Sequence, residues 1–278
     1  MLTNFKKTVI ALSATLALGA ANANGLDPLM KALQSQPNTK KAEFLSPAAK
    51  GAEWLAMLPD TSGMYAVKLK TGQFMIMDAH FRYAFYANNL FDMIRGQEIT
   101  TIEELNQVWL IDESKLDPNT LPIFSYGLEK PKADMTILVG VHKSEATEML
   151  MSFVKENQEK YRIDLVLMGT TGKRQLFSVI NLFCAKDRVL AKERLLNLEI
   201  PTYGDEESLL DYHATCNREH IMAGTAISKM YNVTHYPYFI NSKGHSTVGI
   251  PKDIETFLTE VPENPSHSID FSNEDWNK

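Results

Sequence analysis

The run from Met135 to Val141 constrains this chain more than any other stretch. It is apolar almost throughout, which suits a strand buried on both faces. The next segment, Glu145 to Lys160, sets Met149, Leu150 and Phe153 on one side at helical spacing, and Ile163 to Met168 returns to an apolar run. Strand, helix, strand in that order is a βαβ unit. Helical stretches follow from Lys173 to Leu196 and from Ser208 to Tyr231. Pro237 to Asn241 and Ser246 to Gly249 then read as strands on either side of a Ser242-Lys243-Gly244 turn, and Pro251 starts a last helix.

The front half follows a different pattern. One helix candidate is capped by Asp27 with Pro28 in its first turn, and a second lies around Ala48 to Leu58. Short β-like runs come next: Met64 to Leu69 and Gln73 to Met77, separated by Lys70-Thr71-Gly72 as a hairpin signal, then Tyr83 to Ala87. Thr101-Ile102-Glu103-Glu104 opens a helix with a capping-box signature that runs to about Leu110. Asp117-Pro118-Asn119-Thr120-Leu121-Pro122 breaks all periodicity and reads as a linker. The chain is therefore expected to divide into 1–23, 24–100, 101–131 as linker helix and loop, 132–262, and 263–278 as a loose acidic tail.

At the N-terminus Lys6 and Lys7 precede an apolar run from Thr8 to Ala20, followed by the small-residue triplet Ala21-Asn22-Ala23. This is a secretory signal layout, with cleavage expected after Ala23. The apolar part falls short of the roughly 20 residues a helix needs to cross a bilayer, so no stable membrane insertion is expected. Export to the periplasm changes the meaning of the two cysteines, because in an oxidising compartment an even pair is most simply a structural disulfide. Cys184 and Cys216 fit that reading, and a loop of this length removes roughly 3–4 kcal/mol of freedom from the unfolded chain in the loop-entropy model. The formal charge of −6 and the absence of any basic block argue against nucleic acid as a partner.

Phe183-Cys184-Ala185-Lys186-Asp187, the later Cys216, and Tyr236-Pro237-Tyr238-Phe239-Ile240-Asn241-Ser242-Lys243-Gly244 resemble the thioredoxin-fold domain of the DsbC/DsbG family of periplasmic disulfide isomerases. Gly63-Met64-Tyr65 through Thr71-Gly72, with Leu90-Phe91-Asp92, resembles that family's small N-terminal dimerisation domain. The likeness covers roughly Ala52 to Val261. It implies a chain of mixed α+β and α/β class: a C-terminal thioredoxin-like domain with a helical insertion, and a small β-rich dimerisation domain joined to it by a helical linker. In the family, cysteines matching Cys184 and Cys216 form a buried structural bridge, and the proline matching Pro237 is a cis-proline beside which extended polypeptide binds. Tyr236, with His235 before it, stands where the family usually has a small hydroxyl residue, and the three form the implied peptide-binding set.

The family's catalytic Cys-x-x-Cys sits at the start of the helix after the first strand, where the helix N-terminus stabilises a thiolate. Here that position reads Lys143-Ser144-Glu145-Ala146. Ser144 suits an N-cap and Glu145 the positive helix end, but neither redox atom is present, so no catalytic residue is assigned. The resemblance then implies a redox-inactive homodimer acting on exported polypeptide clients or envelope assembly partners, as a chaperone or scaffold, with conjugative transfer or secretion machinery as a setting. Two alternatives stand beside it: a thiol-disulfide interchange protein using Cys184 and Cys216 or a partner's thiols, and a structural subunit of an envelope complex. No cofactor is implied. His213, Cys216 and His220 have a spacing that suggests a metal site but are too few once Cys216 is oxidised, so no metal is assigned. Gly169-Thr170-Thr171-Gly172-Lys173 fails the phosphate-loop spacing.

Overall fold

The computed structural model of this 278-residue chain describes residues 51–59, 63–78, 83–169, 172–213, 215–216 and 218–271. The leader expected at 1–23 and the helix candidate at Asp27 lie outside these residues. Among the described residues no helix is long and apolar enough to cross a membrane.

The chain divides into two compact units at Trp109/Leu110, and residues after Pro262 return to the first. The front unit is built on β1 (Ala52–Met57), β2 (Tyr65–Leu69), β3 (Phe74–Met77) and β4 (Ala84–Ala87), an antiparallel meander. Side chains alternate between its faces except at a bulge between Ala52 and Trp54, which puts Ala52 in the same cluster as Leu55. Leu55, Tyr65, Val67, Met75 and Met77 form one cluster, while Trp54, Ala56, Ala66, Phe74 and Ile76 form another. The second cluster is completed by Ile99 of the β5 (Leu90–Asp92) and β6 (Gln97–Ile99) hairpin and by Leu105 of α1 (Ile102–Val108). The capping box that starts α1 is formed as the sequence indicates: Thr101 Oγ1 accepts from the Glu104 N–H, and Glu104 Oε2 accepts from the N–H groups of Thr100 and Thr101. These bonds hold the Glu104 carboxyl below the usual range, the Thr100 N–H contributing most.

Three expectations need correction. Residues 52–57, expected within a helix around Ala48 to Leu58, form β1, because apolar side chains there serve both faces of the sheet and the ladder to β2 satisfies the backbone. The tail after Pro262 is not loose throughout. Residues 269–270 form β12 (Ile269–Asp270), paired with Trp54 and Leu55 on the outer edge of β1. Ser266, fully buried, donates to Asn106 Oδ1, and its carbonyl accepts from the Met57 N–H at 3.1 Å. Finally, the stretch expected as linker up to residue 131 contains β7 (Ile123–Gly127), an edge strand of the rear sheet whose Ile123, Phe124 and Tyr126 are buried.

The rear unit has a five-stranded sheet in the order β11-β10-β8-β9-β7. β8 (Met135–Gly140) and β9 (Arg162–Met168) pair in parallel through α2 (Glu145–Asn157), confirming the βαβ unit, and every other pairing is antiparallel. β10 (Tyr238–Asn241), β11 (Ser246–Val248) and α6 (Ile254–Thr259) complete the second half. Between the halves lie α3 (Lys173–Phe183), α4 (Arg188–Leu196) and α5 (Glu219–Met230), so the first long helical stretch read from sequence is interrupted at 184–187, and the second, expected from Ser208, becomes α-helical only at Glu219. One face of the sheet packs Ile137, Val139, Leu165 and Phe239 against Leu150, Val154, Val179, Leu182 and Phe257. The other packs Leu138, Val166, Met168 and Ile240 against Ile227, Ile111 and Leu121. Each such fully buried aliphatic contributes roughly 1.5–3 kcal/mol.

Ending the chain after Pro262 removes β12 and the Ser266 bonds. Hydrogen exchange is expected to show faster exchange in β1 and α1 with the β8 and β9 amides unchanged. Equal protection of β1 in both chains would contradict the role given to the returning strand.

Candidate functional site

β8 ends at Gly140, and the chain turns sharply into α2. The Val141 N–H donates to the Met168 carbonyl at 3.4 Å, and the His142 N–H reaches back to the Gly140 carbonyl at 3.0 Å. Ser144 caps the helix. Its Oγ accepts from the Thr147 N–H at 3.2 Å and shares a hydrogen bond with Thr147 Oγ1 at 2.9 Å. Glu145 and Glu148 place negative charge in the first turn, where the macrodipole favours it. Lys143, Glu145 and Ala146 are exposed, so the helix start faces solvent.

The second loop is the approach to β10. The Tyr236–Pro237 bond is cis, in agreement with the family's implication for Pro237. Pro237 is buried and its carbonyl accepts from the Gly249 N–H at 2.8 Å, fixing it against the turn after β11. His235 is exposed, with its Nδ1 2.8 Å from Thr234 Oγ1. Tyr236 is half-buried in the cluster containing Ile111, Leu138 and Ile227, and its hydroxyl lies 2.8 Å from Ser228 Oγ on α5. Ser228 Oγ also donates to the Val233 carbonyl at 3.3 Å.

Gly140 brings the two loops together. A Cβ there would sit 3.2 Å from the His142 ring and 3.7 Å from Tyr236 Cδ2, so both rings close over the glycine. The sequence-derived residues thus fall into one neighbourhood: Lys143 to Ala146 begin at the end of β8, and Tyr236 and Pro237 enter the strand beside it. Gly140 and Ser228 were not legible beforehand, Gly140 because it meets Tyr236 across a long sequence gap, and Ser228 because nothing in its own helix marks it as a partner of the Tyr236 hydroxyl.

The arrangement holds no thiol. The hydroxyls of its helix start, Ser144 and Thr147, are engaged with each other and in the cap, and the backbone N–H and C=O of His235 and Tyr236 enter no hydrogen bond among the described residues. The Tyr236 side chain is committed inward, so what this loop offers outward is main chain and the His235 ring.

The two cysteines lie elsewhere in the unit. Cys184 is the C-cap of α3, Cys216 lies in the segment leading to α5, and the two are disulfide-bonded with Cα atoms 5.5 Å apart. Beside the bond, the His213 N–H donates to the Cys184 carbonyl, the Lys186 N–H donates to the Asp211 carbonyl, and Ala185 forms a bridge with Tyr212. Because Cys216 is oxidised, its sulfur is not a metal ligand, and the His220 ring packs on Phe183.

β8-α2-β9 followed by β10-β11-α6, with a cis-proline entering the strand antiparallel to β8, decides the fold. The rear unit is thioredoxin-like. No protein-family model matches this chain, and no curated protein matches it. Among solved structures, the thiol-disulfide exchange protein α-DsbA2 of Wolbachia pipientis aligns over 52% of this chain and 86% of its own at 12% identity, with a TM-score of 0.37. A periplasmic thioredoxin-like protein of Salmonella enterica aligns over 58% of this chain and 99% of its own at 14% identity, with a TM-score of 0.39. Helicobacter pylori DsbG aligns over 79% of this chain and 100% of its own at 10% identity, with a TM-score of 0.36.

Two substitutions test this geometry. Tyr236→Phe leaves Ser228 its bond to Val233, so denaturant unfolding is expected to show a loss of about 1 kcal/mol. The double change Cys184→Ser, Cys216→Ser is expected to cost roughly 2–5 kcal/mol, measured in the same way; a loss below half a unit would remove the disulfide from the structural account.

Proposed function

We propose that this chain is an exported protein that holds polypeptides without exchanging their disulfides, working as a chaperone or assembly factor. The observation that carries the reading is Ser144: the helix start beside the cis-proline holds a hydrogen-bonded cap where disulfide exchange needs a thiolate. Unpaired main chain at His235 and Tyr236 supports capture of an extended client by strand-like hydrogen bonding, with specificity left to neighbouring side chains. Exported polypeptides, or partners in an envelope transfer or secretion assembly, are the clients this reading takes from the family resemblance.

A homodimer is the proposed working form. β4 is the outer strand of the front sheet, and its aromatic residues lie in the open: Phe85 is 54% and Tyr86 68% exposed, with Tyr83 at 64% beside them. Phe85 lies opposite Ile76 and Tyr86 opposite Met75, so the two project from different faces. An apolar edge of this kind is a template for pairing with another strand, and a second copy of β4 matches it. Two clefts on one dimer would hold one client at two points and raise avidity.

Thiol-disulfide interchange through Cys184 and Cys216 is the second reading, favoured by the partial exposure of Cys216. Insulin reduction and aggregation suppression separate the two. The holding reading expects no insulin reduction above background, and suppression of client aggregation that survives thiol blocking. Isomerase turnover by the purified protein would overturn it. In the same preparations sedimentation is expected to report about twice the mass of the mature chain, falling to one for a Phe85→Lys, Tyr86→Lys variant.

A further inference from the structure

Beside its sulfur pair the rear unit carries an open pocket of about 320 Å³, at the small end of the roughly 300–1,000 Å³ usual for small-molecule clefts. The Cys184–Cys216 disulfide forms part of its wall, with Phe183, Lys186, Arg188 and His213 around it. The two cysteines differ in exposure: Cys184 is 3% exposed, whereas Cys216 is only half-buried. An attacking thiolate approaching from the pocket therefore meets Cys216 first.

The charge at this pocket is unlike that of the acidic chain as a whole. Lys186 is paired with Asp211 at 2.8 Å, which leaves Arg188 as the uncompensated cation. Its guanidinium lies 4.4 Å from the Phe183 ring centroid and 4.7 Å from that of Phe124, and donates to the Phe183 and Ile123 carbonyls. Among the described residues no carboxylate pairs with it. A guanidinium held in place by rings and carbonyls keeps its charge, and its five donors exceed the two bonds it makes here, which leaves capacity for an anion in the pocket it lines.

The surroundings also hold without the covalent link. The His213-to-Cys184 and Lys186-to-Asp211 backbone bonds and the Ala185–Tyr212 bridge join the same two segments. Opening the disulfide thus leaves the pocket walls tied by hydrogen bonds.

We propose that this pocket binds a small carboxylate-bearing thiol, whose thiolate opens the Cys184–Cys216 disulfide. The thiolate attacks Cys216 Sγ, forming a mixed disulfide. The original S–S bond breaks, and its electron pair leaves on Cys184 Sγ, which takes a proton from solvent. A second thiolate attacks the small-molecule sulfur of the mixed disulfide and releases Cys216 as a thiol. Two small thiols are oxidised to one small disulfide, and the protein gains two electrons. This is a stoichiometric change of state at a site separate from the peptide-facing loops, and it stands whether or not those loops hold clients.

The test treats the native protein with reduced glutathione, 2-mercaptoethanol and cysteamine (anionic, neutral and cationic) at equal thiolate concentrations, following the disulfide by mass spectrometry. Glutathione is expected to open it fastest, by up to about fivefold over the neutral thiol, which is what a single exposed ion pair carries. Cysteamine should be slowest, and the mixed-disulfide mass should map to Cys216. Raising the ionic strength should compress the order in the unchanged protein. Arg188→Gln should erase it and Arg188→Lys should retain most of it, with circular dichroism confirming that both are folded. If either fails to fold, the salt series on the unchanged protein decides. Rates that ignore thiol charge, a disulfide that opens only in denaturant, or an adduct on Cys184 would each overturn the proposal.

Discussion

The parallel pairing of β8 with β9 fixes where everything else in the rear unit must be. Two parallel neighbours need a crossover, and α2 supplies it over the face lined by Ile137, Val139 and Leu165. Because α2 begins where β8 ends, its N-terminus opens at the carboxyl end of the sheet, the side on which open α/β sheets gather their binding groups. β10 then pairs antiparallel with β8, so the residues entering β10 arrive beside the helix start. Gly140, without a side chain, is what lets His142 and Tyr236 share that corner.

The corner sets a helix N-terminus beside a cis-proline and fills that helix end without a thiol. A helix N-terminus favours a thiolate because its N–H groups are unpaired and its dipole is positive, and the same features favour the Ser144 cap and the acidic first turn seen here. Ser144 and Glu145 answer the electrostatic demand of the helix end with groups that cannot attack sulfur. The Tyr236 hydroxyl bonded to Ser228 ties the cis-proline loop to α5. The sulfur chemistry of the chain is confined to the far end of α3, at the disulfide that joins Cys184 to the approach of α5.

Local signals were readable from the sequence. The α2 helix, the Ser144 cap and the Thr101/Glu104 box each rest on residues within one or two turns, and each formed, although the inward face of α2 is Leu150, Met151 and Val154, and Met149, read as part of it, is exposed. Short apolar segments were not. Ala52 to Met57 carries no internal cue that separates a strand from a helix turn, and Ile123 to Gly127 and Ile269–Asp270 become strands only through partners far along the chain. The family resemblance supplied the cis-proline, while the disulfide followed from an even cysteine pair in an expected oxidising compartment.

The position of β12 governs the order in which this molecule can be finished. β1 emerges early from a ribosome or a translocation channel, yet its outer neighbour is made only after the whole rear unit has passed. Until then the backbone groups on that side of β1 have no strand to pair with, while the rear unit, being contiguous, is free to close at once. A chain threaded across a membrane from its N-terminus would thus complete its second unit first and its first unit last, with an incomplete sheet exposed to chaperones or to sister chains in the interval.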